Sequence, residues 1–194
     1  MYKDLLTLDQ IKTPSLLVKL LQALSLQIGN EVRYFEVSQM IGADPLTVER
    51  YIDLLEQSFV LFRLPSLSRN ARNEIKKGRK IYFYDNGIVN AIIKNFSPLA
   101  LRNDTGALWE NFLVAERMKR NAYSNYLCNT YFWRTTSQQE NDYVEEAGGR
   151  LHAFEFKWKP QKPARFPTAF LENYPGSQTT SVDNRNFEEF VGLH

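Results

Sequence analysis

A chain of 194 residues with 24 basic and 22 acidic side chains carries a formal charge of +2, which excludes a globally cationic nucleic-acid binder and leaves only local patches for such a role. Hydrophobic residues make up 43% and aromatic residues 13%, enough apolar surface for one large or two small cores and too much for a disordered chain. Cys128 is the only cysteine, so no intrachain disulfide forms, as suits a reducing cytoplasm.

The first residues hold no apolar signal segment, and the greasiest stretch, residues 16–28, is broken by Lys19 and Gln22. Neither a leader nor a membrane span is therefore expected, and the location reads as cytoplasmic. In that stretch Leu16, Leu17, Leu20, Leu21, Leu24 and Ile28 recur at helical spacing and predict an amphipathic helix stopped by Gly29. A short segment at 35–41 precedes a turn at Gly42. Asp44 and Pro45 then read as N-cap and first residue of a helix with Val48, Tyr51, Ile52 and Leu55 on one face. Two short helices about a glycine turn, preceded by a longer one, predict a helix-turn-helix. At Phe59 the period changes. Residues 59–62 and 80–84, rich in aromatic and β-branched side chains, predict strands around a polar, basic connection at 65–79. Three helices and a hairpin make a winged helix, with Leu20, Leu24, Val48, Ile52, Leu55 and Phe83 as its expected core. A helix over 86–94 closes it, and Ser97-Pro98 marks the boundary between domains at 1–96 and 97–194.

The second half predicts a helix over 105–119 with Leu108, Phe112, Ala115 and Met118 among its apolar positions. Strands follow: one ending at Tyr131-Phe132-Trp133, then 141–146 and 151–158, the last two separated by Gly148-Gly149. A helix over 168–174, a short strand over 179–182 and a final segment at 187–193 complete the chain. The expected fold class is α+β or α/β, with a small mixed sheet in this half.

Glu155 and Lys157 stand two apart, so on one strand they share a face. A two-residue Gly148-Gly149 turn sets Ala147 against Arg150 and, counting outward, Asp142 against Glu155. Two carboxylates with Cβ atoms roughly 5 Å apart destabilise a plain hairpin. A divalent cation between them converts that repulsion into coordination by hard oxygen ligands. Lys157, one step along, is then placed to stabilise developing charge or to position a water. The bland alternative is the solvated end of an amphipathic strand.

The pattern Asp142, twelve intervening residues, then Glu155-Phe156-Lys157 resembles the PD-(D/E)XK nuclease motif. More closely, the chain resembles the C-terminal region of prokaryotic AAA+ ATPases whose last domain is nuclease-like and of unknown function. The resemblance rests on Thr47-Val48-Glu49-Arg50-Tyr51-Ile52-Asp53-Leu54-Leu55-Glu56, Lys80-Ile81-Tyr82-Phe83-Tyr84-Asp85-Asn86-Gly87 and Gly106-Ala107-Leu108-Trp109-Glu110-Asn111-Phe112, then Tyr131-Phe132-Trp133-Arg134-Thr135 and Glu155-Phe156-Lys157-Trp158. It implies a restriction-endonuclease-like second domain with Glu110, Asp142 and Glu155 as ligands of Mg²⁺ or Mn²⁺ and Lys157 as the catalytic lysine. Asn141 departs from the pattern, which prefers an apolar residue before the aspartate. The ATPase module would lie before Met1. No G-x-x-x-x-G-K-[ST] occurs among the nine glycines, so this chain has no ATP site of its own. His152, His194 and Cys128 lack zinc-ligand spacing, and His152 falls on the strand face opposite Glu155.

Residues 36–57 carry Glu36, Asp44, Glu49, Asp53 and Glu56 against Arg50, a net charge of −4 that repels phosphates. The connection is the reverse: Arg69, Arg72, Lys76, Lys77, Arg79 and Lys80 against Glu74 give +5. Lys157, Lys159, Lys162 and Arg165 form a second basic run beside the carboxylates. Both runs are candidates for holding a nucleic-acid backbone, with a solvated loop as the alternative. Two functions follow. One is a metal-dependent phosphodiesterase on DNA or RNA. The other is a catalytically silent docking or regulatory module for an ATPase, borne by the same or another chain.

Overall fold

The computed structural model describes residues 13–68, 78–159 and 164–192, a mixed α+β chain. Its first half opens with α1 (Pro14–Ser25), β1 (Glu31–Val32), α2 (Tyr34–Ile41) and α3 (Pro45–Gln57), followed by β2 (Leu61–Pro65), β3 (Arg79–Phe83) and α4 (Asn86–Ile93). The strands form an antiparallel sheet in the order β1-β3-β2, with Leu61 opposite Phe83 and Pro65 opposite Arg79. Asp44 caps α3 through the backbone N–H of Thr47, and Pro45 opens it where its missing N–H is not needed.

Leu20, Leu24, Val48, Ile52, Leu55 and Phe83 are all buried, as their spacing required. Two boundaries differ from expectation. The first helix ends at Ser25 rather than running to Gly29, because residues 26–29 turn the chain back to deliver Glu31 and Val32 to β3. The aromatic run at Phe59 begins as a helix terminator instead of a strand. Phe59 takes a left-handed φ of 54° while the Val60 N–H donates back to the Leu55 carbonyl, so pairing starts only at Leu61.

The second half opens with a 3₁₀ turn (Leu99–Leu101) and α5 (Thr105–Tyr123), one turn longer than the apolar spacing indicated. Then come β4 (Asn129–Arg134), β5 (Glu140–Ala147), β6 (Arg150–Lys157), α6 (Thr168–Asn173), β7 (Gln178–Asp183) and α7 (Phe187–Val191). The sheet order is β4-β5-β6-β7, antiparallel except for the parallel β6–β7 pair, so the sheet is mixed. Strand alternation sends Tyr143, Phe154 and Phe156 toward Phe190 of α7, and sends Val144 and Ala153 into a second cluster with Leu67, Trp133 and Phe170.

The apolar core does not divide at residue 97. One continuous cluster runs from Leu17 through Val89 to Leu108, Leu113, Phe132, Tyr143 and Val191. Buried Asn111 of α5 reinforces that junction: its side chain accepts from the Phe83 N–H at 2.7 Å and donates to the Phe83 carbonyl at 2.9 Å. The two halves are thus packed as one body. Among the described residues no helix is long and apolar enough to cross a membrane.

Candidate functional site

The Gly148-Gly149 turn sets the site. Both residues have positive φ, 56° and 75°, the backbone of a type I′ hairpin turn that right-twisted strands favour. The ladder beyond it pairs Ala147 with Arg150, Val144 with Ala153 and Tyr143 with Phe154. The paired residues end there, in the register the glycines dictated, with Asp142 and Glu155 next along the two strands. The two carboxylates nevertheless hold different partners. Asp142 Oδ2 accepts the Phe156 N–H at 2.7 Å, and Glu155 Oε1 accepts from Lys157 Nζ at 2.7 Å. Glu155 itself lies opposite Ser181 of β7.

Glu110, on the first half of α5, reaches the same group of charges. Its Oε1 accepts from Tyr82 Oη at 2.6 Å and from Lys80 Nζ at 3.1 Å, both on β3 and two residues apart. Lys80 also pairs with Glu140 of β5, and its side chain is only 1% exposed. Gly29 closes the back of Glu110: a Cβ there would lie 3.1 Å from Oε1, and its φ of +76° already favours glycine. The order of charges continues outward, with Arg134 Nε 3.3 Å from Glu140 and Arg134 Nη1 3.9 Å from Glu31.

Crowding shapes the ionisation. Burial, then the charges of Glu110 and Glu155, push the Asp142 carboxyl up to about 8, against the opposing pull of Lys80. Glu155 is also raised by burial, with Lys157 opposing. Burial depresses Lys80, but Glu110 and Glu140 outweigh it and hold the ammonium above its ordinary range. Asn141, fully buried between Glu140 and Asp142, has neither amide atom hydrogen-bonded. Its position explains why an apolar residue suits it better.

Tested against a divalent cation, this donor set does not fit as arranged. The Oε1 atom of Glu110 already accepts two hydrogen bonds, Asp142 and Glu155 each hold a donor, and Lys80 supplies positive charge among them. Among the described residues no group of three or more histidine, cysteine, aspartate or glutamate side chains is arranged to hold a metal ion.

Charge counting misplaced several residues. Lys80, which charge alone places with the basic connection, is buried in the acidic cluster because period two on β3 aligns it with Tyr82. Glu140, two before Asp142 on β5, is a further member that the strand period alone would have disclosed. Of the acids on α2 and α3, Glu36 pairs with Arg33, Asp53 and Glu56 share Arg63, and Asp44 is a helix cap, so the two arginines bring the apparent −4 to −2. Arg79 is half-buried on β3, while Lys159 and Arg165 are exposed; Arg69, Arg72, Lys76, Lys77 and Lys162 lie outside the described residues. His152 stacks on Phe154 with ring centroids 4.1 Å apart, on the face away from Glu155. A second buried network joins Arg117 to Glu145 at 2.8 and 2.7 Å and to the Phe190 carbonyl at 2.8 Å, fastening α7 to α5 and β5.

Residues 1–99 match a domain of unknown function, DUF8612, and residues 105–189 match a second, DUF4143, so two such domains stand in tandem. The uncharacterized proteins Rv2008c of Mycobacterium tuberculosis and Mb2031c of Mycobacterium bovis are each 31% identical over 124 residues. Those matches cover 63% of this chain and 27% of each relative, so the shared stretch spans about a quarter of the relatives' length. No solved structure matches.

Proposed function

We propose, for a chain that belongs to the DUF8612 family, that it serves as a catalytically silent docking module within or alongside a longer ATPase-type protein. On this reading the first half is a winged helix and the second a PD-(D/E)XK-type fold that keeps the outline of a nuclease site without its chemistry. Three helices followed by a hairpin support the first assignment, and a mixed sheet with Asp142 and Glu155 on adjacent strands beside Glu110 supports the second. The greater length of the relatives leaves room for an ATPase module outside the shared stretch. One observation carries the silent reading: each signature carboxylate is engaged through one oxygen within the chain, Glu110 by Tyr82 and the buried Lys80 ammonium, Asp142 by the Phe156 N–H, and Glu155 by Lys157.

The deciding experiment incubates the purified chain with single- and double-stranded DNA and RNA in millimolar Mg²⁺ or Mn²⁺. Cleavage no greater than that of Glu155→Ala supports docking, and metal-dependent cleavage lost in Glu155→Ala overturns it. The same outcome would establish the competing reading, a Mg²⁺- or Mn²⁺-dependent phosphodiesterase. That reading is favoured by the crowding of Glu110 and Glu155 onto Asp142, a repulsion of the kind that a bound cation relieves. Arg79 and Lys159 would then flank the site as backbone contacts.

A further inference from the structure

Lys80 stands where lysines are rarely found. An ammonium removed from water costs several kcal/mol unless carboxylates compensate it, and this one is 1% exposed. Its compensation comes from the other half of the chain: Glu110 Oε1 on α5 at 3.1 Å, Glu140 on β5, and the face of Phe132 with its centroid 5.5 Å away. Lys80 comes from β3 of the helical half, where it pairs with Glu31 and Leu64 in the sheet. It is thus a cation carried by one half into an acidic cluster built by the other.

We propose that the Lys80 ammonium is a tethered counter-ion that replaces a divalent metal in the Glu110–Glu140–Asp142 cluster and so fastens the two halves together. The inference rests on the silent reading of the site and says what the retained acids do in place of catalysis. Four carboxyl groups converge here, Glu110, Glu140, Asp142 and Glu155, against the Lys80 and Lys157 ammonium groups and, at Glu140, the Arg134 guanidinium. With Lys80 removed, Lys157 and Arg134 are left as the balancing cations of that group, and the carboxylate oxygens of Glu110 and Glu140 that Lys80 held are hard donors of the kind that bind Mg²⁺ or Mn²⁺. Lys80 competes with a metal by charge: its ammonium sits at the Glu110 Oε1 oxygen and repels a cation that would enter the same carboxylate group.

The test uses the whole chain with Mn²⁺ as the probe, read by thermal unfolding and by the loss of the free-Mn²⁺ paramagnetic signal. Wild type should show no saturable Mn²⁺ uptake and an unchanged melting temperature. Lys80→Met should melt several degrees lower without metal, then take up Mn²⁺ and recover several degrees as it saturates. Adding Asp142→Asn to Lys80→Met should abolish that recovery. Should Lys80→Met alone be too unstable to purify, Lys80→Met with Glu140→Gln removes one repelling charge, keeps the remaining donors, and should respond in the same way. A folded Lys80 variant that ignores Mn²⁺ overturns the proposal, as does stoichiometric Mn²⁺ binding by wild type lost in Glu110→Gln. Absence of cleavage by wild type together with no metal response in either Lys80 variant defeats this inference alone. Metal-dependent cleavage by wild type defeats it together with the silent reading.

Discussion

Lys80 Nζ lies 3.1 Å from Glu110 Oε1 across a separation of 30 residues, and the pair joins the hairpin of the first half to the long helix of the second. A contact of this kind is made or lost as a unit, because either partner left alone is a buried charge. Glu110→Ala strands Lys80 with Glu140 and leaves Tyr82 without its acceptor. The expected cost is about 3 kcal/mol or more, measured by urea unfolding. Since the halves share one apolar cluster, wild type should unfold in a single transition with fluorescence and circular dichroism coincident. Two resolved transitions would contradict the shared core.

Stability should fall as pH rises, through Asp142. Its carboxyl is raised to about 8 in the fold by burial and by Glu110 and Glu155, whereas an unfolded aspartate titrates near about pH 4. Between those values the folded chain holds a proton that the unfolded chain has released, so each increase in pH favours unfolding. Asp142→Asn keeps an acceptor for the Phe156 N–H and removes the titration. Its stability advantage over wild type should widen by several kcal/mol between about pH 5 and about pH 8 and then level off. Parallel stability–pH curves for the two proteins would refute the assignment.

Asn141 offers a stabilising substitution. Its buried amide has no hydrogen-bond partner, so it bears a desolvation cost with nothing to offset it. Asn141→Leu, close in size and apolar, should raise stability by about 1–3 kcal/mol in chemical denaturation. A loss of stability would mean that the amide has a partner, such as a bound water.

Nucleotide binding is expected to be absent from this chain, since no phosphate-cradling glycine loop with its lysine occurs in the sequence. Titration calorimetry with Mg-ATP should give only heats of dilution. Saturable binding at micromolar concentrations would require a site unrelated to that motif.

What the sequence determined by itself was local. Helical spacing identified the core side chains Leu20, Leu24, Val48, Ile52 and Leu55, and the Asp44-Pro45 pair marked the start of α3, because caps and periods act within a few residues. Gly148-Gly149 fixed a register running from Ala147–Arg150 to Tyr143–Phe154, since two consecutive positive φ angles admit essentially one hairpin geometry. Tertiary structure alone decided how charges were matched. Counting treats each lysine and glutamate as solvated, yet Lys80 is buried against Glu110 and Glu140, and Arg63 crosses to Asp53 and Glu56. It also decided that the two halves share a core, because burial depends on which helix meets which sheet, and no short window of sequence contains both.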